Sequence, residues 1–183
     1  MNIVIISGTN REGAVSLRVA RRLRQRYGAM DGVDATLLDL SQLPPSLFTP
    51  QAYETKPEEF QPFADAVVNS DGLVVVTPEY NGGMPGVLKL FIDMLPFPQS
   101  FESRPVCFVG LSAGRWGALK PVEQLQTVFG YRNAHIFPQR VFLPGVKKVL
   151  DDNADITVEF LAERLTAQIQ GFVPYCKAMK SLA

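Results

Sequence analysis

A chain of 183 residues is long enough to bury a core of its own, and 18 Lys plus Arg against 18 Asp plus Glu leave it with no formal net charge. That balance offers no basic surface for nucleic acid, and a hydrophobic content of 46% excludes a chain too polar to fold. Cys107 and Cys176, the only cysteines, are too few for a disulfide framework, and with no charged-then-apolar leader they predict a cytoplasmic protein.

The chain opens on Ile3-Val4-Ile5-Ile6, a β-branched run far too short to span a membrane. It predicts a buried strand over Asn2–Ser7 that feeds the turn Gly8-Thr9-Asn10-Arg11-Glu12-Gly13. A helix follows, with Ala20, Leu23 and Tyr27 on one face. A second strand is expected over Asp34–Leu40. The proline-rich stretch Ser41–Pro57 reads either as a lid over a ligand or as an ordinary packed loop. Phe60, Phe63 and Val67 mark a second helix, and Gly72–Thr77 a third strand. Pro85 is placed to start a helix carrying Leu88, Phe91, Ile92 and Leu95, after which Pro96–Pro105 reads as a connection. A fourth strand, Val106–Leu111, holds Cys107 as a small core residue. Ala118, Val122, Leu125 and Phe129 share a fourth helical face. A weaker strand lies at Ala134–Phe137. The last helix is expected from about Thr157, with Leu161, Leu165, Ile169 and Phe172 inward and Pro174 ending or kinking it. Strands without polar alternation, separated by helices, predict one α/β domain: a five-stranded parallel sheet, doubly wound.

Three loops at the expected C-terminal edge of that sheet carry chemistry. In the first, Gly8 and Gly13 allow unusual backbone and close approach, Thr9 and Ser16 offer hydroxyls, and Arg11 offers a cationic fork before a helix N-terminus. It is neither Gly-x-Gly-x-x-Gly nor a P-loop, so a phosphate monoester suits it better than a dinucleotide or a triphosphate. A plain βα turn with a capping hydroxyl would look the same. The second loop is Thr77-Pro78-Glu79-Tyr80-Asn81-Gly82-Gly83-Met84-Pro85-Gly86. Its glycines and Asn81 can turn backbone groups toward a flat heterocycle, and Tyr80 adds an aromatic face. In a sheet of order 2-1-3-4-5, strands one and three flank the topological switch point, so both loops border one crevice. The third loop, Gly110-Leu111-Ser112-Ala113-Gly114, also satisfies the nucleophile-elbow pattern Gly-x-Ser-x-Gly of serine hydrolases. A triad there would need His135, the sole histidine, which falls in a strand. Glu123, on a helix, is the only carboxylate between Ser112 and His135. A hydrolase at Ser112 is therefore a distant alternative. Asp93, on a helix, suits a cap, salt bridge or subunit contact; the sole tryptophan, Trp116, suits either stacking on a ligand or packing.

With these loops placed, the chain resembles the NADPH-dependent FMN reductase family, which has the flavodoxin-like fold. Pro78-Glu79-Tyr80-Asn81-Gly82-Gly83-Met84-Pro85-Gly86 is similar to that family's P-E-Y-N-x-x-x-P-G, and Gly8-Thr9-Asn10-Arg11 to its G-[ST]-x-R segment. The resemblance implies a single flavodoxin-like domain over residues 1–183 binding FMN, with NADPH or NADH as co-substrate. Electrons would pass to a small acceptor such as a quinone, an azo compound, a flavin or a metal oxyanion. Thr9, Arg11 and Ser16 would hold the phosphate. Pro78, Glu79, Tyr80, Asn81 and Gly82 would hold the isoalloxazine, and Ser112, Ala113 and Gly114 would line its other edge. A homodimer or homotetramer is implied, with no membrane and no nucleic-acid partner. Family members usually place a serine, often with an asparagine, where this chain has Ala14 and Val15, with Ser16 standing in. Each lost charge-assisted hydrogen bond is worth about 1.5–3 kcal/mol, so a loosely held FMN is expected. A flavin-binding or protein-interaction module with little turnover is the alternative.

Overall fold

The computed structural model describes residues 1–182. In chain order the elements are β1 (Asn2–Ser7), α1 (Val15–Gly28), β2 (Asp34–Asp39), α2 (Gln61–Val68), β3 (Gly72–Pro78), α3 (Gly86–Met94), β4 (Pro105–Leu111), α4 (Leu119–Tyr131), β5 (His135–Ile136), β6 (Val141–Leu143), the one-turn α5 (Val146–Val149) and α6 (Glu159–Lys180). All the strands pair in parallel, in the order β2-β1-β3-β4-β5, with β6 also on β4. This is the flavodoxin-like arrangement.

The central strands lack alternation because both their faces are covered. Val4, Ile6, Leu73, Val75 and Phe108 pack toward α2, α3 and α4. Their neighbours Ile3, Ile5, Val74, Val76 and Cys107 pack toward α1 and α6. The helical stripes supply the rest of each layer: Val19, Ala20 and Leu23 on one side, Leu88, Phe91, Val122 and Leu125 on the other.

Two expectations need correcting. The sheet has six strands because its last edge strand is split. β5 pairs with Pro105 and Val106 at the start of β4, and β6 with Val109, Gly110 and Leu111 at its end. Pro138 has no N–H for the ladder and falls in the gap between β5 and β6. Buried Gln168 of α6 fills that gap, donating through Nε2 to the carbonyls of Phe108 (3.0 Å) and Gln139 (2.7 Å). Second, Pro174 does not end α6, which continues to Lys180. Phe172, Val173 and Cys176 are buried on either side of the proline while Pro174 itself faces solvent, so packing offsets the missing backbone bond. Of the two readings open for Ser41–Pro57, the structure shows the packed loop. It forms 3-10 turns at Leu40–Gln42, Pro45–Phe48 and Pro50–Tyr53, with Leu43, Leu47 and Ala52 buried beneath. Among the described residues, no helix is long and apolar enough to cross a membrane.

Candidate active site

β1 ends in Ser7 and turns at Gly8, whose N–H donates to the Val76 carbonyl of β3 (2.9 Å). A Cβ at Gly8 would stand 2.9 Å from both that carbonyl and the Leu88 side chain, so only glycine lets the loop lie this close to β3. Thr9 is buried. Its Oγ1 accepts the Arg11 N–H (3.3 Å) and shares a 2.8 Å hydrogen bond with the Tyr80 hydroxyl. Gly13, at a φ of +66°, redirects the chain into α1.

Helix α1 starts without a side-chain cap, because its N-cap residue is Ala14. The Ala14 carbonyl accepts the Leu17 and Arg18 N–H groups, while those of Val15 and Ser16 have no partner within the helix. The hydroxyls of Ser16 and Ser7 are buried and unpartnered. Arg11 is exposed and makes no ion pair among the described residues. Buried orphan hydroxyls, open helix N–H groups and a free guanidinium form a donor set that suits a phosphate. Sequence reasoning missed Ser7, whose one signal was a hydroxyl closing an apolar run.

The second loop leaves β3 at Pro78. Asn81 (φ 51°) and Gly82 (φ 75°) both adopt left-handed backbone, closing a tight turn in which Tyr80 and Gly83 exchange two N–H···O bonds of 3.0 Å. Asn-Gly is the sequence such a turn requires. The Met84 N–H donates to Gln124 Oε1 of α4 (2.9 Å), so the loop is held from the neighbouring helix. Gln124 was not a sequence candidate; nothing local marks a surface glutamine as a partner for a loop 40 residues away.

The third loop follows β4. The Ser112 N–H donates to Leu143 O (3.2 Å), and Gly145 N–H to Gly114 O (2.9 Å), so the corner between β6 and α5 backs the loop. Ala113 and Gly114 are exposed at its tip. Trp116 is 61% exposed, with the Arg115 guanidinium 5.2 Å from its ring, so it does not pack into the core.

The three loops stand at the C-terminal ends of β1, β3 and β4, three adjacent strands. The first and second touch through Thr9 and Tyr80. The third lies two strand spacings from β1, about 10 Å, a span that suits an extended planar group with a phosphate tail. Asp93 lies apart, in an ion pair with Lys89 one turn away on α3 (2.8 Å). No triad assembles at Ser112. His135 pairs with Pro105 at the start of β4, about 20 Å along the strand from Ser112, whose hydroxyl donates to Gly114 O (3.1 Å).

The molecule is similar in structure to the flavoenzyme NAD(P)H:(acceptor) oxidoreductase FerB of Paracoccus denitrificans. The TM-score is 0.78 at 21% identity, over 97% of this chain and 98% of that one. In sequence it is 28% identical over 184 residues to a quinone reductase of Escherichia coli strain K12, covering 98% of this chain and 97% of that protein. It is 25% identical over 185 residues to the NAD(P)H-dependent FMN reductase PA1204 of Pseudomonas aeruginosa, covering 98% and 97% respectively. A family model described as NADPH-dependent FMN reductase matches residues 1–147, which take in all six strands and all three loops. The chain belongs to the NADPH-dependent FMN reductase family.

Proposed function

We propose that the three loops hold FMN end to end and that the chain passes electrons from NAD(P)H to a small acceptor of the quinone class. The oxidoreductase class, FMN and an NAD(P)H co-substrate follow from the family; the acceptor and the residue roles are our reading. Two relatives aligned over nearly their whole length bear names pointing to quinone or flavin reduction, which makes a flat, electron-poor ring the leading acceptor class. What carries the reading is the Ser16 hydroxyl, buried and unpartnered at an uncapped helix N-terminus beside Arg11.

In this assignment Arg11, Thr9, Ser16 and the open N–H groups of α1 would together hold the phosphate. The turn through Asn81 and Gly82 presents backbone N–H groups that its own two bonds leave free. Pro78, Glu79 and Tyr80 form the wall along the ring. Ser112, Ala113 and Gly114 close the opposite edge. When bound, FMN supplies the hydride chemistry between nicotinamide and acceptor. The protein's share is to bind, orient and limit access, and no side chain is asked to exchange a proton. Because Ala14 and Val15 bring no hydroxyl to the phosphate, the cofactor exchanges with solution.

Titration of the apoprotein, followed by quenching of flavin fluorescence, tests the reading. Saturable binding in the range of about 1–10 μM is expected. NAD(P)H oxidation by the dilute protein should rise with added FMN, and rise further with a benzoquinone present. Absence of saturation at tens of micromolar would overturn the assignment of these loops.

A further inference from the structure

The 2.8 Å bond between the Thr9 and Tyr80 hydroxyls joins two loops that are 71 residues apart in sequence. Thr9 is 2% exposed, so its single proton and two lone pairs must be satisfied by what surrounds it. The Arg11 N–H occupies one lone pair. In isolation either hydroxyl can donate to the other. A phosphate monoester removes that freedom, because at neutral pH its oxygens chiefly accept. If Thr9 gives its proton to the phosphate, its second lone pair must take the proton of Tyr80.

We infer that Tyr80, though it belongs to the loop along the isoalloxazine, is a positioning residue for the phosphate, acting through Thr9. This rests on the assignment of FMN to the three loops. The order of donation runs from Tyr80 to Thr9 to phosphate. Each bond polarises the next, and the Tyr80 bond also holds the Thr9 rotamer toward the ligand. The phenolic proton is thereby committed and is not available to the reacting ring. The same bond ties the first loop to the second, so the site recognises the phosphate tail in part through a residue of the ring-binding wall.

The experiment compares dissociation constants for FMN and for riboflavin, which has the same ring and no phosphate. The proteins are wild type, Tyr80→Phe, Thr9→Val, Thr9→Ser and the Thr9→Val/Tyr80→Phe double variant, with folding checked by circular dichroism. Tyr80→Phe, which keeps the aromatic face, should weaken FMN about three- to tenfold and leave riboflavin unchanged. Thr9→Val should weaken FMN by at least as much, and the double variant should be no worse than Thr9→Val alone. Thr9→Ser keeps the hydroxyl and should stay within about twofold of wild type in its preference for FMN. An unchanged FMN-to-riboflavin ratio in Tyr80→Phe would overturn the inference. So would multiplicative losses in the double variant, which would mean that Tyr80 acts independently of Thr9. Wild-type protein that binds FMN and riboflavin equally would instead sink the phosphate assignment beneath it, and no flavin binding at all would sink the whole reading.

Discussion

The Arg11 side chain, a charged group of the first loop, makes no hydrogen bond or ion pair among the described residues. It is also exposed, so its removal should scarcely alter folding. Arg11→Ala is expected to weaken FMN about 10- to 100-fold, the worth of a charge-assisted bond, and to change riboflavin little; paired titrations would show it, and equal losses would place Arg11 elsewhere. Thr9, Arg11 and Ser16 were legible as candidates because hydroxyl, guanidinium and glycine sit together before a helix. Ser7 was not, because its burial without a partner depends on what β3 and α1 place around it. Gln124 was invisible for a related reason: its only distinction is an acceptor at 2.9 Å from the Met84 N–H.

Among elements, α6 and the start of β1 are held together by Asp71. Its Oδ2 accepts the Asn2 N–H (2.8 Å) and its Oδ1 the Lys180 ammonium (2.6 Å). Burial raises the carboxyl's pKa, but Lys180, the Asn2 N–H and the chain's terminal ammonium outweigh it and hold the group below its ordinary value. A depressed folded-state pKa contributes stability that is present above the unfolded value, about 3.9, and is lost as pH falls through the folded one. Asp71→Asn is therefore expected to lower Tm at pH 7, with the gap from wild type closing below about pH 4. Thermal melts across pH 3–7 would check this; a gap independent of pH would show that the charge contributes nothing. Close packing governs the same corner. A Cβ at Gly72 would lie 2.6 Å from Cys176 Sγ and 3.2 Å from the Phe172 ring, which is why β3 begins with glycine under α6. Burial pushes the Cys176 thiol up to about 12 and the Cys107 thiol well above its ordinary value, so both behave as core residues, as the apolar run around Cys107 suggested. Helix stripes and strand runs were legible throughout because period and burial go together. Pro174 does not end α6 because the cost of one missing bond is local, whereas the burial that offsets it comes from the sheet below.

At the scale of the molecule, the groove between α3 and α4 is where self-association is predicted. It encloses a cavity of about 530 Å³ lined by Lys89, Ile92, Asp93, Phe97, Val128 and Tyr131. Phe97 is 70% and Tyr131 83% exposed, large apolar surface, with the Arg132 guanidinium 4.8 Å from the Phe97 ring. Lys89 and Asp93 at its rim are paired with each other (2.8 Å), so the face carries no net charge there to oppose an identical copy. The homo-oligomer implied by the resemblance is therefore expected to form here. Light scattering should give a dimer or tetramer mass for wild type and a smaller mass for Tyr131→Glu; a monomeric wild type would remove the expectation.

By itself the sequence determined the layer architecture, the parallel sheet, the three loops at one edge and the turn chemistry of Asn81 and Gly82. These depend on periodicity and on the backbone conformations that particular residues allow, both readable over a few neighbouring positions. Tertiary structure alone decided that the edge strand splits around Pro138 with Gln168 bridging the gap, that Ser112 and His135 sit at opposite ends of β4, and that Thr9 bonds Tyr80. Each is a contact between segments distant in the chain, set by strand register and helix packing, and no local pattern encodes which distant group will arrive within 3 Å.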